Sequence, residues 1–230
     1  MKKNRVPISM TNFTLLSRFK NYIVNTFQYK ILRFYKDNKI IDIIVKTQKE
    51  TDCLLRANEM FMVYSVANSQ KKSPGNMAEV GVYQGASAKM ICEAKGNKKL
   101  FLFDTFEGLP LPYEFENKVF KEKEFRSDLD SVKKYLSKYK NIFLYPGTFP
   151  ESAHAIKDLI FSFVHLDVDL YKSTLNCLNF FYTRMQKGGV ILSHDYSNAQ
   201  GVKNAFDEFF IEKKENIIEL PESQCMVVKL

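Results

Sequence analysis

The chain has 230 residues, 45% of them hydrophobic, enough for one substantial core with a small appendage at most. No stretch reaches the roughly 18–20 apolar residues of a membrane span, and no apolar segment or small-residue cleavage site follows the basic start MKKNRVPISM, which argues against a secretory signal. The net charge of +8 belongs to residues 1–50, with 11 Lys and Arg against 3 Asp and Glu, whereas residues 51–230 hold 23 of each; a nucleic-acid footprint would line the functional cleft, so none is expected.

Residues 13–35 place Phe13, Leu16, Phe19, Ile23, Phe27, Ile31 and Phe34 three or four apart, the period of a helix with one apolar face. Interleaved Lys20, Lys30 and Arg33 suit an interfacial helix in peripheral membrane contact, while packing on the main domain or on a second subunit suits it equally. A plain solvated surface is the third reading of the basic leader. Residues 38–46 are a short hydrophobic run of either type, and 51–68 read as a helix with Leu54, Leu55, Met62 and Val66 inward. A Ser-Pro-Gly turn within 71–76 ends this opening region, so residues 1–70 are read as a helical extension and 71–230 as the main domain.

Strands and helices then alternate. Strands are expected at 77–82, 100–104, 142–145, 161–166 and 190–193, and helices at 87–94, 129–139, 153–159, 172–185 and 202–210. Two short strands, 217–220 and 225–228, close the chain. This pattern predicts a doubly wound α/β fold, a parallel sheet covered on both faces. The stretch 105–126, with Pro110, Pro112 and several aromatics, reads as an insertion or lid at the ligand rim, or as a surface loop with its rings packed down. The four cysteines are scattered with no CxxC pair, which fits reduced thiols in a cytoplasmic protein rather than a zinc site.

Parallel sheets bind ligands outside the carboxyl ends of their strands. Four such ends carry chemistry here. The turn EVGVYQGASA (79–88) has Gly81 and Gly85 directly after a strand and Ser87 at the following helix start, where free N–H groups face a ligand. Its spacing is not GxGxxG, and no Walker Lys-Ser pair follows. Asp104 ends the next strand about 20 residues on, where a carboxylate accepts ribose hydroxyls or serves as a loop cap. HLDVDLY and ILSHDY end two further strands with Asp167, Asp169, His194 and Asp195. Oxygen ligands at one rim suit Mg2+ or Mn2+, with Asp169 as a general base or as the cap of the helix near Tyr171. His194 either ligates, hydrogen-bonds substrate, or orients Asp195. His165 and His154 read as structural, and the absence of a GxSxG elbow argues against a serine triad.

EVGVYQGASA, LFDTFEGLP, HLDVDLYKST and GGVILSHDY, in this order over about 75–205, together resemble the macrocin O-methyltransferase family of S-adenosylmethionine-dependent, magnesium-requiring enzymes. The resemblance implies a mostly parallel seven-stranded sheet of the class I methyltransferase type, ending in an antiparallel hairpin strand. It implies that Glu79, Gly81, Tyr83, Gly85 and Ser87 surround the methionine part of S-adenosylmethionine, that Asp104 holds the ribose with Thr105 and Phe106 beside it, and that Gly147, Thr148 and Phe149 lie near the adenine. Asp167 and Asp195 look like metal ligands and Asp169 or Asp167 like the base. The family commonly has Asp-Asp where this chain has His194-Asp195, so an imidazole stands in for one carboxylate ligand.

The function expected is methyl transfer to a sugar hydroxyl of a glycoside, nucleotide sugar or glycan precursor, in the cytoplasm or at the inner face of the membrane, by a chain that can form a homo-oligomer. Two rivals are a metal-independent O-methyltransferase of a small hydroxylated or phenolic compound, and a non-catalytic module that docks on membrane or partner through the basic leader.

Overall fold

A computed structural model describes residues 15–230, with side chains from residue 23 onward. Phe13, the side chains of Leu16, Phe19 and Lys20, and the first basic residues of the leader lie outside the described residues. Three helices come first: α1 (Leu15–Tyr35), α2 (Asn38–Glu50) and α3 (Ala57–Ser69). The alternating region follows as β1 (Asn76–Val80), α4 (Ala86–Ala94), β2 (Leu100–Asp104), α5 (Leu129–Leu136), β3 (Ile142–Pro146), β4 (Phe161–Leu166), α6 (Tyr171–Phe181), β5 (Met185–Ser193), α7 (Gln200–Phe210), β6 (Ile218–Glu219) and β7 (Cys225–Val228).

The strands form one sheet in the order β3-β2-β1-β4-β5-β7-β6. It is parallel from β3 to β5, and β7 runs antiparallel to both β5 and β6. This is the doubly wound class I methyltransferase arrangement. The strand order reverses at β1, where the chain runs outward through β2 and β3 on one side and returns from β3 to β4 on the other, the place where such sheets open a crevice.

Each face of the sheet is covered by helices. Ile41 and Ile44 of α2, Met60 and Val63 of α3 and Met90 of α4 pack with Met77, Leu100 and Leu102 on one side. Leu178 and Phe181 of α6 and Val202 and Phe206 of α7 pack with Val164 and Ile191 on the other. The first core takes in α2 and α3, so the boundary drawn near residue 70 does not divide one core from another. The apolar face expected on α1 is mostly turned outward. Leu32 is buried, but Phe27, Ile31 and Phe34 are 64%, 58% and 80% exposed. Among the described residues no helix is long and apolar enough to cross a membrane.

Several element bounds differ from the sequence expectation for identifiable reasons. Residues 38–46 are the first two turns of α2, whose N-cap Asp37 accepts from Lys39 N–H. The helix expected from 51 begins only at Ala57, because Glu59 reaches back to accept from Arg56 N–H at 2.8 Å and starts α3 there. Leu54 and Leu55 therefore belong to an extended connection that Leu55 anchors in the core. The helix expected at 153–159 is a short 3-10 turn, Glu151–Ile156. β5 starts five residues earlier than expected, and α6 stops at Phe181.

One ion-paired carboxylate ties the closing elements together. Glu215 accepts from Lys229 Nζ and Leu230 N–H on one oxygen and from Tyr182 hydroxyl on the other. Burial works to raise its pKa, but these donors override it and hold the carboxyl at about 2, below the ordinary 4.5. A depressed folded pKa contributes stability above the ordinary value and loses it as pH falls toward about 2. Melting curves across that window should fall less steeply for Glu215→Gln than for wild type; superimposable pH profiles would contradict this.

Candidate active site

The register of the sheet brings four strand ends to one level. Val80 lies beside Phe103 and Leu166, and Leu166 beside Ser193. These ends open onto a cleft of about 1070 Å³. Opposite the sheet, the connection between α2 and α3 supplies a wall that includes Asp52, Leu54 and Arg56, and the insertion supplies another with Leu109, Phe115 and Val119.

The glycine turn is shaped by two close approaches. Gly81 has φ +87°, and a Cβ there would lie 1.8 Å from the carbonyl oxygen of Asp167. Only glycine lets the β1 and β4 ends come this near. Asp104 then clamps the turn: its Oδ2 accepts from Val82 and Tyr83 N–H at 2.7 and 2.8 Å, and its Oδ1 from Phe106 N–H at 2.7 Å. A carboxylate has about four acceptor positions, so about one remains for a hydroxyl in the cleft. The expected ribose acceptor is first of all the residue that holds the turn.

The residues proposed to surround the cofactor divide into two groups. Gly81, Tyr83, Ser87, Asp104, Thr105, Gly147, Thr148 and Phe149 all line the cleft. Glu79, Gly85 and Phe106 do not. Glu79 is in register with His165, so the two fully buried side chains stand on the same face and pair at 2.8 Å beneath the turn. Burial pushes the Glu79 carboxyl up, the His165 contact opposing it. Gly85, at φ +84°, is the N-cap of α4 and faces Tyr135 and Val132 of α5. Phe106 turns into the core.

The acidic cluster forms where β4 and β5 end. His194 Nδ1 lies 3.0 Å from Asp167 Oδ1 and 3.1 Å from Asp195 Oδ2. Asp167, His194 and Asp195 each offer a ligand atom within 4.8 Å of the others. Asp169 and Asp195 both take φ +60°, a region that Asp tolerates better than most residues and that recurs at functional sites. Asn198 steadies Asp195 by donating to its Oδ1 at 3.1 Å.

A fourth carboxylate comes from a region of the chain that sequence reasoning left aside. Glu59 of α3 places Oε2 3.5 Å from His194 Nε2, while its Oε1 accepts from the N–H and hydroxyl of Ser223. In sequence Glu59 is one more polar position inside the helix expected over 51–68, and only the fold gives it this contact. Burial works to lower the His194 pKa, but Asp195, Asp167 and Glu59 raise it well above the ordinary imidazole value. Burial likewise works to raise Glu59, and His194 overrides it to hold that carboxyl at about 2. Asp169 is pushed well up, by burial first and then by Asp195 and Asp167.

Four carboxylates thus face one imidazole in a buried place. That excess of negative charge fits a divalent cation, and the mixed oxygen and nitrogen donors suit manganese or another imidazole-accepting ion better than magnesium, which favours oxygen throughout.

Asp104→Ala should strand three backbone donors, at a cost of about 1–3 kcal/mol for each one that stays unpaired. It should lower Tm and weaken S-adenosylmethionine binding by about tenfold or more. Calorimetric affinity equal to wild type would show that the clamp does not shape the cofactor loop.

The chain is similar to known methyltransferases along most of this architecture. A family model described as macrocin-O-methyltransferase (TylF) matches residues 59–223. Among characterised relatives, an 8-demethyl-8-(2,3-dimethoxy-alpha-L-rhamnosyl)-tetracenomycin-C 4'-O-methyltransferase from Streptomyces olivaceus is 25% identical over 140 residues, 54% of each chain, so this chain spans about half the length of that relative. Of solved structures, the O-methyltransferase NovP superposes with a TM-score of 0.65 at 18% identity, covering 77% of this chain and 81% of its own. The calicheamicin methyltransferase CalS11 gives 0.65 at 13%, covering 90% and 91%. An O-methyltransferase from Bacillus cereus in complex with SAH gives 0.60 at 12%, covering 90% and 97%. With the family model spanning from Glu59 to Ser223, and so all four strand ends of the cleft, the chain belongs to the macrocin-O-methyltransferase (TylF) family.

Proposed function

We propose that this chain transfers the methyl group of S-adenosylmethionine to a hydroxyl of a sugar, in a glycoside, a nucleotide sugar or a glycan precursor, with a divalent ion at the β4 and β5 ends. The observation that carries this reading is the grouping of Asp167, His194 and Asp195 within 4.8 Å on the floor of a cleft whose other half is the glycine turn clamped by Asp104. One half suits a nucleoside donor, the other a hydroxyl that must lose a proton. The name of the Streptomyces olivaceus relative, a 4'-O-methyltransferase of a rhamnosyl-tetracenomycin compound, supports a sugar as the acceptor.

Asp167, Asp195 and His194 would hold the ion, which when bound would polarise the acceptor hydroxyl and lower its pKa. In the transfer the hydroxyl oxygen forms a bond to the methyl carbon as the carbon–sulfur bond breaks, and Asp169 takes the released proton. Burial and the neighbouring Asp195 and Asp167 raise its affinity for protons, which favours it as the acceptor. Much of the acceleration comes from holding donor and acceptor in line, with the insertion excluding water from the cleft.

A second reading has a specific observation behind it. His194 already sits between Asp167 and Asp195, so its imidazolium compensates their charge without a metal and leaves Asp169 to take the proton alone. Chelation separates the two. In the favoured reading EDTA abolishes methyl transfer and manganese restores it, whereas turnover indifferent to EDTA establishes the metal-free mechanism.

Asp167→Ala should lower kcat by at least about a thousandfold, since it removes a ligand and a hydroxyl-positioning group together. Unfolding curves should stay close to wild type, and wild-type turnover in that variant would remove Asp167 from the reaction.

A further inference from the structure

Next to the cleft the insertion meets the start of α6 and the later part of α7 and forms a second, open groove of about 710 Å³. Tyr113, Phe115 and Tyr171 line it together with Glu114, Asp207 and Glu208, and the Tyr171 hydroxyl donates to Glu208 at 2.6 Å. Tyr113 and Phe115 stack with centroids 6.1 Å apart and planes 22° apart, and Tyr113 meets Tyr171 at 6.2 Å. These are not rings packed down under a loop: Tyr113 and Phe115 are 45% and 50% exposed.

The platform is held from beneath by one buried carboxylate. Glu116 accepts from Tyr113 N–H at 3.0 Å through Oε2 and from Tyr171 N–H at 2.7 Å through Oε1. Its Oε1 also occupies the space over residue 201, where a Cβ would lie 2.0 Å away, so Gly201 is what lets α7 close against it. One side chain thus locks the insertion to both helices and fixes the backbone under two of the rings. Preorganised aromatic surface in water is the mark of a binding face.

The chemistry of the groove selects its occupant. Flat rings match the C–H face of a pyranose, and carboxylates accept strongly from hydroxyls and ammonium groups. Lys203 is engaged with Asp207 at 3.3 Å and the Tyr196 hydroxyl at 2.8 Å, and the lining holds three carboxylates and no cation, so the groove disfavours phosphate. Phe115 lines both the groove and the cleft, so the two adjoin.

We propose that this groove is a second saccharide subsite, which holds the sugar residue next to the one presenting its hydroxyl in the cleft. The acceptor is then a neutral or amino-sugar-containing oligosaccharide or multi-sugar glycoside, not a sugar nucleotide. The proposal rests on the reading of a sugar as methyl acceptor, and it narrows that reading to one class.

The test uses the full chain on an array of neutral, amino-sugar and phosphorylated saccharides from one to four units, with methyl transfer to the same compounds measured in parallel. Unphosphorylated disaccharides and longer should bind about tenfold more tightly than monosaccharides, and Tyr113→Ala should remove that advantage while leaving KM for a monosaccharide glycoside unchanged. Equal binding of mono- and disaccharides, preference for phosphorylated sugars, or no response to Tyr113→Ala overturns the subsite. Since Tyr113 is half exposed, loss of fold in that variant is not expected, and Glu114→Lys gives an independent check by admitting phosphorylated sugars. Array binding that persists while no sugar is methylated removes the acceptor reading and keeps the subsite. Methylation of a monosaccharide and its oligomers with one common KM does the reverse.

Discussion

The near-contact between Gly81 and the carbonyl of Asp167 is the constraint on which the rest of the site depends. It brings the ends of β1 and β4 so close that the donor half and the acceptor half of the cleft share a wall one backbone thick. Asp104 then fixes the turn from the β2 side, and parallel register carries the same level across to Ser193. Because the sheet is a single hydrogen-bonded unit, the two halves keep a fixed separation. That is what an in-line transfer between two bound molecules demands.

Charge follows the same geometry. Strand ends that converge bring their terminal carboxylates together, and Asp167, Asp169, Asp195 and the added Glu59 would repel one another without a cation. His194 supplies one positive charge from within the chain. The site therefore has both an internal counter-charge and the ligand set for an external one, and metal removal is the experiment that bears most directly on its chemistry. Family membership and the shared fold make the methyltransferase frame firm, while His194 limits which ions the cluster could accept.

Much of this was legible in the sequence, for a physical reason. Buried parallel strands are short apolar runs, and LFLF, FSFVHL and GVILSH each lead directly into an aspartate. The acidic strand ends and the glycine turn could therefore be located without coordinates. What could not be read were features set by partners remote in the chain. Glu79 belongs with His165 through register, Asp104 spends its oxygens on the turn, and Phe106 goes inward. Helix starts failed where local pattern misleads: Leu54 and Leu55 mimic helical spacing, but the cap formed by Glu59 and Arg56 decides the boundary. The outward-facing stripe of α1 shows the same limit, since periodicity reveals an amphipathic face and not what it meets.

The reach of Glu59 from α3 to His194 makes the early helices inseparable from the chemistry. A shortened polypeptide trimmed to the alternating β/α region would keep every strand-end acid yet lose the residue that holds the imidazole from its far nitrogen, and it would open one wall of the crevice to bulk solvent. Shortened versions that keep this contact therefore have to begin before α3, and a reagent that pries that helix away from the sheet would part Glu59 from His194 without touching the strand ends.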